Sequence, residues 1–309
     1  MRRVLKRLAE TVAVHGGGYR AGHFLRRGRG LILAYHNVVE DSAHQNLGDT
    51  SLHLPVERFE QQVELLATDF DVVSLDSLLG SDGGGGRPRV AITFDDAYRG
   101  AVTMALPRLA ESGLPATVFV VPRFAESGEA FWWDRFERGD YGGDGDRAEV
   151  IREQLLTELG GQQARITDRA RASGWRERTL PPSLCPASVS ELTEASELPG
   201  VELGSHSWSH PCLPAVDRVR LQSELSRSFH WLRSRFRSCS PLLSYPYGRV
   251  DESVREAAAS AGYRAAVTIS GGWLPGDARQ RPFSLPRLNV PAGLSDDGFA
   301  LRLAGWLCD

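Results

Sequence analysis

Short apolar runs alternate with helical patterns along most of the chain, and this alternation limits the possible folds more than any other feature. The apolar runs have the length of buried strands, and the segments between them repeat apolar residues at helical spacing. The strand candidates are residues 31–35, 71–75, 90–94, 116–121, 201–203, 242–245, 263–269 and 285–290. Strands that alternate with helices in this way predict an α/β fold whose parallel sheet closes as a barrel.

The segment 131–186 interrupts the alternation. It opens with the aromatic triplet Phe131-Trp132-Trp133, passes a Gly/Asp-rich turn and continues as a charged helical pattern. We interpret it as an insertion over one end of the barrel, acting as a lid or a substrate wall. Its two tryptophans suit either packing or a sugar-binding platform. The predicted organisation is a basic N-terminal arm over residues 1–30 and one barrel domain over 31–309 that carries this insertion.

Charge and composition argue against a nucleic-acid-binding or membrane-spanning protein, and the basic residues are concentrated in residues 1–29. A net charge of −3 over 309 residues gives no general attraction for nucleic acid. Residues 1–29 carry eight basic residues and one acidic residue, which fits either a solvated arm or a peripheral contact with anionic lipid. The sequence shows no export-signal pattern and no apolar run of membrane-spanning length. We therefore expect a cytoplasmic protein, at most peripheral to the inner face of the membrane.

The cysteines are scattered and form no C-x-x-C pair, which favours free thiols over a disulfide framework or a cysteine metal site. They are Cys185, Cys212, Cys239 and Cys308.

Two adjacent carboxylates, Asp95 and Asp96, follow the strand candidate 90–94. Successive side chains on an extended strand point in opposite directions, so one carboxylate could hold a metal while the other stays free as a base. Taken alone, the pair is more typical of a solvated turn.

His206 and His210 are four residues apart, the spacing that places two imidazoles on one face of a helical turn. A pair with this spacing can also be purely structural. Combined with the two carboxylates, however, it supplies three protein ligands and a spare acidic group. Three ligands with an open position are typical of a hydrolytic metal site.

Three segments resemble the first three motifs of the NodB-like polysaccharide deacetylases, carbohydrate esterase family four. They are 93–96 (Thr-Phe-Asp-Asp), 206–210 (His-Ser-Trp-Ser-His) and 245–248 (Tyr-Pro-Tyr-Gly). The resemblance runs in the expected order from about residue 31 to residue 291. It implies a distorted parallel (β/α) barrel of seven or eight strands. It also implies a divalent metal, usually Zn2+, although related enzymes accept Co2+, Ni2+ or Mn2+.

The resemblance also implies roles for individual residues. Asp95 corresponds to the catalytic base, and Asp96, His206 and His210 correspond to the metal ligands. A backbone N–H near Tyr247 would help to stabilise the oxyanion that forms during amide hydrolysis.

The chain departs from the usual family pattern at several positions. Ser244 stands where many members have an arginine that steadies the base, and Ala97 replaces a glycine. Many members also use a late histidine as the acid, but no histidine follows His230. Some relatives with a Tyr-Pro-Tyr-Gly motif instead carry a Tyr-His near their first strand, so the resemblance makes His36 the candidate acid, although it could simply be a satisfied histidine at a strand end. Arg287 could replace the missing arginine, although a surface ion pair is equally open.

The function expected from these residues is hydrolysis of the acetyl group of an N-acetylated amino sugar. The substrate would be a bacterial surface glycan or its lipid-linked or activated precursor. Two alternatives stay open: a catalytically degenerate member that binds metal or sugar without turnover, and an interaction protein that uses the basic arm at a membrane surface.

Overall fold

A computed structural model describes residues 2–40, 44, 47–80, 86–137 and 146–307. Its strands are almost wholly buried, as expected for a parallel sheet that is covered on both faces. The strands are β1 (Gly30–Tyr35), β2 (Asn37–Val39), β3 (His53–Pro55), β4 (Asp71–Val72), β5 (Arg89–Phe94), β6 (Ala116–Val120), β7 (Val201–Ser205), β8 (Cys239–Ser244), β9 (Ala265–Gly271) and β10 (Leu285–Asn289).

Helices lie between the strands and cover the outside of the sheet. They are α1 (Arg2–His15), α2 (Gly18–Leu25), α3 (Val56–Asp69), α4 (Leu75–Gly80), α5 (Leu106–Glu111), α6 (Pro122–Ser127), α7 (Trp132–Arg135), α8 (Asp146–Glu158), α9 (Gln163–Ala172), α10 (Val189–Ser196), α11 (Arg218–Arg235), α12 (Glu252–Ser260) and α13 (Asp296–Leu303). A wider π-type turn, Ala101–Ala105, leads into α5.

Seven parallel strands form a closed ring, in the order β1, β5, β6, β7, β8, β9, β10 and back to β1. The ring closes because β1 pairs with β10 on one side and with β5 on the other. The β1–β5 register runs from Gly30 opposite Arg89 to Tyr35 opposite Phe94, so the next residues, His36 and Asp95, leave the two strands side by side. The predicted distorted (β/α) barrel is therefore confirmed.

The second predicted strand, residues 71–75, is shorter than expected. Only Asp71–Val72 is extended, and the chain turns into α4 at Leu75. This strand, β4, pairs with the start of β5 and is not part of the closed ring. A short apolar run before a helix can belong to either element, because periodicity does not separate the two over so few residues.

The inserted segment packs on the end of the barrel where the strands finish. It contains α7, α8 and α9, and its last residues return to the turn after β5, where Tyr98 bridges Pro186. Trp132 and Trp133 are both buried, so these rings pack inside the protein. The predicted Gly/Asp-rich turn lies mostly outside the described residues.

The N-terminal residues expected as an arm form α1 and α2. These helices lie against α13 and against residues 304–307, which we call the C-terminal segment. The Ser295 hydroxyl donates to Glu10 Oε2 at 2.5 Å, and the Thr11 hydroxyl donates to Asp297 Oδ2 at 2.6 Å. The Trp306 indole N–H donates to the Gly18 carbonyl at 2.7 Å. Across the described parts of the chain, the helices are all too short or too polar to cross a membrane.

Cys185, Cys212 and Cys239 are free thiols, as expected, and Cys308 lies outside the described residues. Burial raises the pKa of each of these three thiols, which lowers their reactivity near neutral pH.

Candidate active site

The site begins where β5 ends. The chain leaves the strand through Asp95 and enters two residues with left-handed backbone, Asp96 (φ 68°) and Ala97 (φ 53°). This conformation costs a residue other than glycine roughly 1–2 kcal/mol, and observed strain of this kind is typical of functional sites. The two carboxylates have different partners, as predicted, but this turn separates them, and not the alternation of side chains along an extended strand.

Asp96, His206 and His210 converge on one point. Asp96 Oδ1 lies 3.3 Å from His210 Nε2 and 3.5 Å from His206 Nε2, and the two Nε2 atoms are 3.1 Å apart. All three side chains are buried, and Asp96 Oδ1 has no hydrogen-bond partner among the described residues. A buried acceptor that faces two imidazole nitrogens without a donor fits a divalent cation.

The ring orientation of His206 supports this fit. Its Nδ1 lies 2.7 Å from the Ser244 carbonyl oxygen, which can only accept, so Nδ1 carries the proton and Nε2 presents its lone pair to Asp96 and His210. Burial lowers the pKa of His206, and burial together with His206 lowers the pKa of His210 well below its usual value. Both rings are therefore neutral near pH 7, the form in which imidazole binds metal.

The two histidines meet on a loop, whereas the sequence analysis placed them on a helical turn. Their ring centroids are 4.7 Å apart, and His210 has a positive φ of 58°. The loop is clamped to α11 by Glu224, which accepts from the Ser209 N–H at 2.8 Å and from the Ser209 hydroxyl at 2.6 Å. A spacing of four residues therefore identified two histidines that do meet, but they meet on a loop and not on the predicted helical turn.

Asp95 is held by Arg287 from β10, as the sequence analysis suggested. Nη1 donates to Oδ1 at 2.8 Å and Nη2 donates to Oδ2 at 2.6 Å, while the guanidinium also donates to Ser244 Oγ, Thr93 Oγ1 and the Thr268 carbonyl. The Ser244 hydroxyl donates to Asp95 Oδ2 at 3.1 Å. Arg287 is wholly buried, so it is a part of the site and not a surface ion pair.

The two adjacent carboxyls have opposite electrostatic environments. Burial alone would raise the pKa of Asp95, but the charge and hydrogen bonds of Arg287 outweigh it and hold the pKa below its usual range. Burial, Asp95 and Asp134 together raise the pKa of Asp96 well above its usual value. Asp95 is therefore a permanently ionised group, whereas Asp96 needs a nearby cation to hold its charge.

His36 leaves β1 next to Asp95 and is half-buried. Burial lowers its pKa to about 4, and the charge of Asp95 opposes this effect only in part. The ring is therefore neutral near pH 7, and it can act as an acid only after it has gained a proton. The role of His36 as the acid stays a prediction.

Tyr247 has a left-handed backbone (φ 59°) inside the turn Pro246–Gly248. Its ring packs edge-on to His210 with centroids 4.5 Å apart, and its hydroxyl accepts from the Trp132 indole at 3.3 Å. The structure thus brings Tyr247 beside a proposed metal ligand. The predicted oxyanion contact through a nearby backbone N–H stays a prediction.

An aromatic wall from the insertion covers the other side of His210. The Trp133 ring lies 5.1 Å from the His210 ring and stacks on Phe131 at 4.8 Å, with an interplanar angle of 7°. The insertion therefore shapes the site by packing against His210.

Sequence analysis missed a buried polar network centred on Asp134. Its Oδ1 accepts from the Asp49 N–H at 2.8 Å and from His53 Nε2 at 3.1 Å, and its Oδ2 accepts from the Tyr98 hydroxyl at 2.5 Å. The Trp133 indole in turn donates to the Tyr98 hydroxyl at 2.7 Å. The network thus fixes the wall to the turn after β5. Its only sequence signal is an acidic residue that directly follows three aromatic residues.

A second missed pair brings positive charge to the site. Arg152 on α8 donates to Asp49 Oδ2 at 2.9 Å. Its charge lowers the pKa of His210 and opposes the rise at Asp96. Neither residue belongs to a motif, so the pattern of the sequence gave no indication of this pair.

Asp134→Ala is expected to lower the free energy of unfolding by about 3 kcal/mol or more, because several buried donors lose their acceptor and each costs roughly 1–3 kcal/mol. Asp168→Ala on the exposed side of α9 is the control and should change it by less than about 0.5 kcal/mol. Urea unfolding measures both. If Asp134→Ala lowers the free energy of unfolding no more than Asp168→Ala does, the network does not contribute to stability.

Comparison with known proteins gives one family. The sequence pattern of the polysaccharide deacetylase family matches residues 82–266. YxkH of Bacillus subtilis (strain 168), whose name places it among polysaccharide deacetylases, is 31% identical over 100 residues. This alignment covers 32% of the present chain and 35% of YxkH, so the chain matches about a third of that relative's length.

Solved structures share the fold at low identity. The deacetylase PplD of Streptococcus pyogenes, solved in complex with acetate, superposes with a TM-score of 0.60 at 18% identity and covers 90% of this chain and 99% of its own. BC0361, a polysaccharide deacetylase from Bacillus cereus, gives 0.62 at 16% identity over 90% and 69% of the two chains. A de-N-acetylase from Aggregatibacter actinomycetemcomitans gives 0.61 at 16% identity over 89% and 100%.

Proposed function

The chain belongs to the polysaccharide deacetylase family, and on this basis we propose that it is a metal-dependent hydrolase that deacetylates an N-acetylated amino sugar. The proposed substrate is a bacterial surface glycan or its precursor. The observation that carries the proposal is the pairing of two environments: Asp96, His206 and His210 form a buried set that fits a cation, beside the ionised Asp95.

The proposed reaction adds water across an amide bond. The water oxygen bonds to the carbonyl carbon, the C–N bond breaks, and acetate and an amine are released. Both water protons end on the nitrogen: the first is transferred as the C–N bond breaks, and the second leaves the acetic acid product, so acetate and a protonated amine are released and the charge balances. A divalent ion held by Asp96, His206 and His210 would supply a Lewis acid that polarises the carbonyl and makes water easier to deprotonate.

Asp95 is suited to accept the proton from water. Arg287 and Ser244 fix both of its oxygens, so the carboxylate does not need to reorient during the reaction. The same contacts hold its pKa below the usual range, so it is ionised near pH 7 and can accept a proton; as a weak base it suits a water that a bound divalent ion would make more acidic.

His36 is the proposed proton donor to the leaving amine. It lies on the neighbouring strand end, and Asp95 favours its charged form. A proton that leaves the water could therefore be passed on to the amine from the same side of the site.

Acetate release from a panel of N-acetylated hexosamines, free and carrier-linked, tests the reaction. We expect acetate from at least one member, loss of release after the metal is removed with a chelator, and recovery when Zn2+ is added back. His206→Gln should lose both the bound metal and the activity. His230→Gln, an exposed histidine on α11, is the matched control and should keep both.

Metal analysis separates the two parts of the proposal. A protein that binds Zn2+ but releases no acetate from any panel member would be a binding protein of this family. Acetate release that survives both the chelator and His206→Gln would contradict the metal dependence.

A further inference from the structure

Helix α1 exposes an apolar side to the solvent and turns the acidic residue Glu10 toward the protein. Leu5, Leu8, Ala9, Val12 and Ala13 follow the spacing i, i+3, i+4, i+7, i+8, and all five are exposed. The exposed fractions of the three larger side chains are 59% for Leu5, 58% for Leu8 and 71% for Val12. We call these five residues the α1 stripe. An ordinary surface helix has the reverse arrangement.

Polar contacts on the inner side hold α1 in this orientation. Glu10 is buried and accepts from the Ser295 hydroxyl, and Thr11 donates to Asp297 at the start of α13. At 3.6 residues per turn, positions 10 and 11 lie roughly 130° around the helix from the centre of the α1 stripe, so both contacts are made away from it. The stripe is therefore not exposed through a loose attachment of the helix.

An apolar groove adjoins the stripe. It has a volume of about 470 Å³, and it lies between α1, α2 and the C-terminal segment. Trp306, one of its lining residues, is 54% exposed, and α2 carries two further exposed apolar side chains at its C-terminal end, Phe24 (62%) and Leu25 (66%). The lining residues are Ala9, Glu10, Ala13, Gly18, Leu301, Trp306 and Leu307.

The charge of this part of the chain indicates what covers the apolar surface. Residues 1–29 contain eight basic residues and one acidic residue, and that acid, Glu10, is buried against α13. Arg20 on α2 and Arg27 just after it are exposed. An apolar helix face with basic residues around it and an exposed tryptophan nearby is typical of a helix that lies in the interface of an anionic membrane.

We propose that α1, α2 and the C-terminal segment form a docking surface for a membrane that contains anionic phospholipid, with the α1 stripe in the acyl-chain boundary. The arginines attract the lipid head groups, and burial of the stripe provides the apolar part of the affinity. This proposal does not depend on the proposed reaction.

Sedimentation of the full chain with vesicles tests the docking surface. We expect binding to vesicles of phosphatidylcholine with phosphatidylglycerol, and much weaker binding to phosphatidylcholine alone. Leu8→Glu with Val12→Glu should lower binding about tenfold or more, because it removes apolar burial and adds repulsion. Arg20→Gln should lower it about fivefold, since one basic residue near the surface contributes about 1 kcal/mol.

Val219→Glu is the matched control, because Val219 on α11 is 81% exposed and lies outside the docking surface. It should bind vesicles like the unchanged protein. The melting temperature of each variant checks that the fold is kept. The proposal fails if the unchanged protein binds neither kind of vesicle, or if the Leu8→Glu, Val12→Glu protein binds as well as the control. It also fails if the stripe instead joins two copies, seen as a dimer that this double variant converts to a monomer without any vesicle binding.

Discussion

The Asp95→Asn protein is expected to keep its metal and to lose activity by roughly 10²–10⁴-fold in kcat/KM. Asparagine has nearly the same shape but cannot take a proton from water, whereas Asp96, His206 and His210 are untouched. The measurements are acetate release and the metal content of the purified protein.

Asp168→Asn is the matched control, since Asp168 is exposed on α9 and should be neutral for both readouts. If the Asp95→Asn protein binds metal and turns over substrate within about tenfold of the unchanged enzyme, Asp95 is not the base. If the Asp95→Asn protein loses its metal as well, the role of Asp95 is to support metal binding by Asp96, His206 and His210.

Arg287→Met is expected to lower the free energy of unfolding by about 3–5 kcal/mol, because it leaves the Asp95 carboxylate buried without its partner. The side chains of Arg287 and Asp95 are 0% and 3% exposed, so water compensates little. Chemical unfolding measures the change, and Arg218→Met on the exposed start of α11 is the control for loss of a guanidinium.

A double variant separates the lost ion pair from lost packing. Arg287→Met combined with Asp95→Asn should be more stable than Arg287→Met alone, because the buried charge is then absent. A double variant that is no more stable than the single one would show that Arg287 matters for its volume and its other hydrogen bonds, and not for Asp95.

The sequence was sufficient for the barrel and for the residues that converge on the site. Asp95 and His206 each follow a strand directly, Asp96 is one residue further on, and parallel strand ends meet at one edge of a barrel. Residue type and position in the chain therefore indicated where these side chains meet, whereas the role of each residue came from the resemblance to the family and stays a prediction. Arg287 was weaker as a prediction, because an arginine on a strand can equally face the solvent.

The Asp134 network could not be predicted because its partners are far apart in sequence and share no pattern. His53 is 81 residues from Asp134, and Tyr98 is 36 residues from it. These contacts depend on how the insertion folds back on the barrel. The local pattern of apolar and polar residues does not predict that arrangement. The loop that carries His210 has the same limit. The spacing of four residues indicated that His206 and His210 meet, but the loop backbone that brings them together could not be predicted.

Ser244 on β8 and Arg287 on β10 both reach the same carboxylate, although they belong to different strands. In a closed ring every strand end faces a common axis, so a long cation can serve the base from more than one strand. The arginine can therefore change strand during evolution while its guanidinium still contacts the same carboxylate. We expect relatives of this chain to exchange the two positions together, with arginine at one and a small hydroxyl residue at the other. A motif search that demands the cation at a single position would wrongly class such chains as inactive.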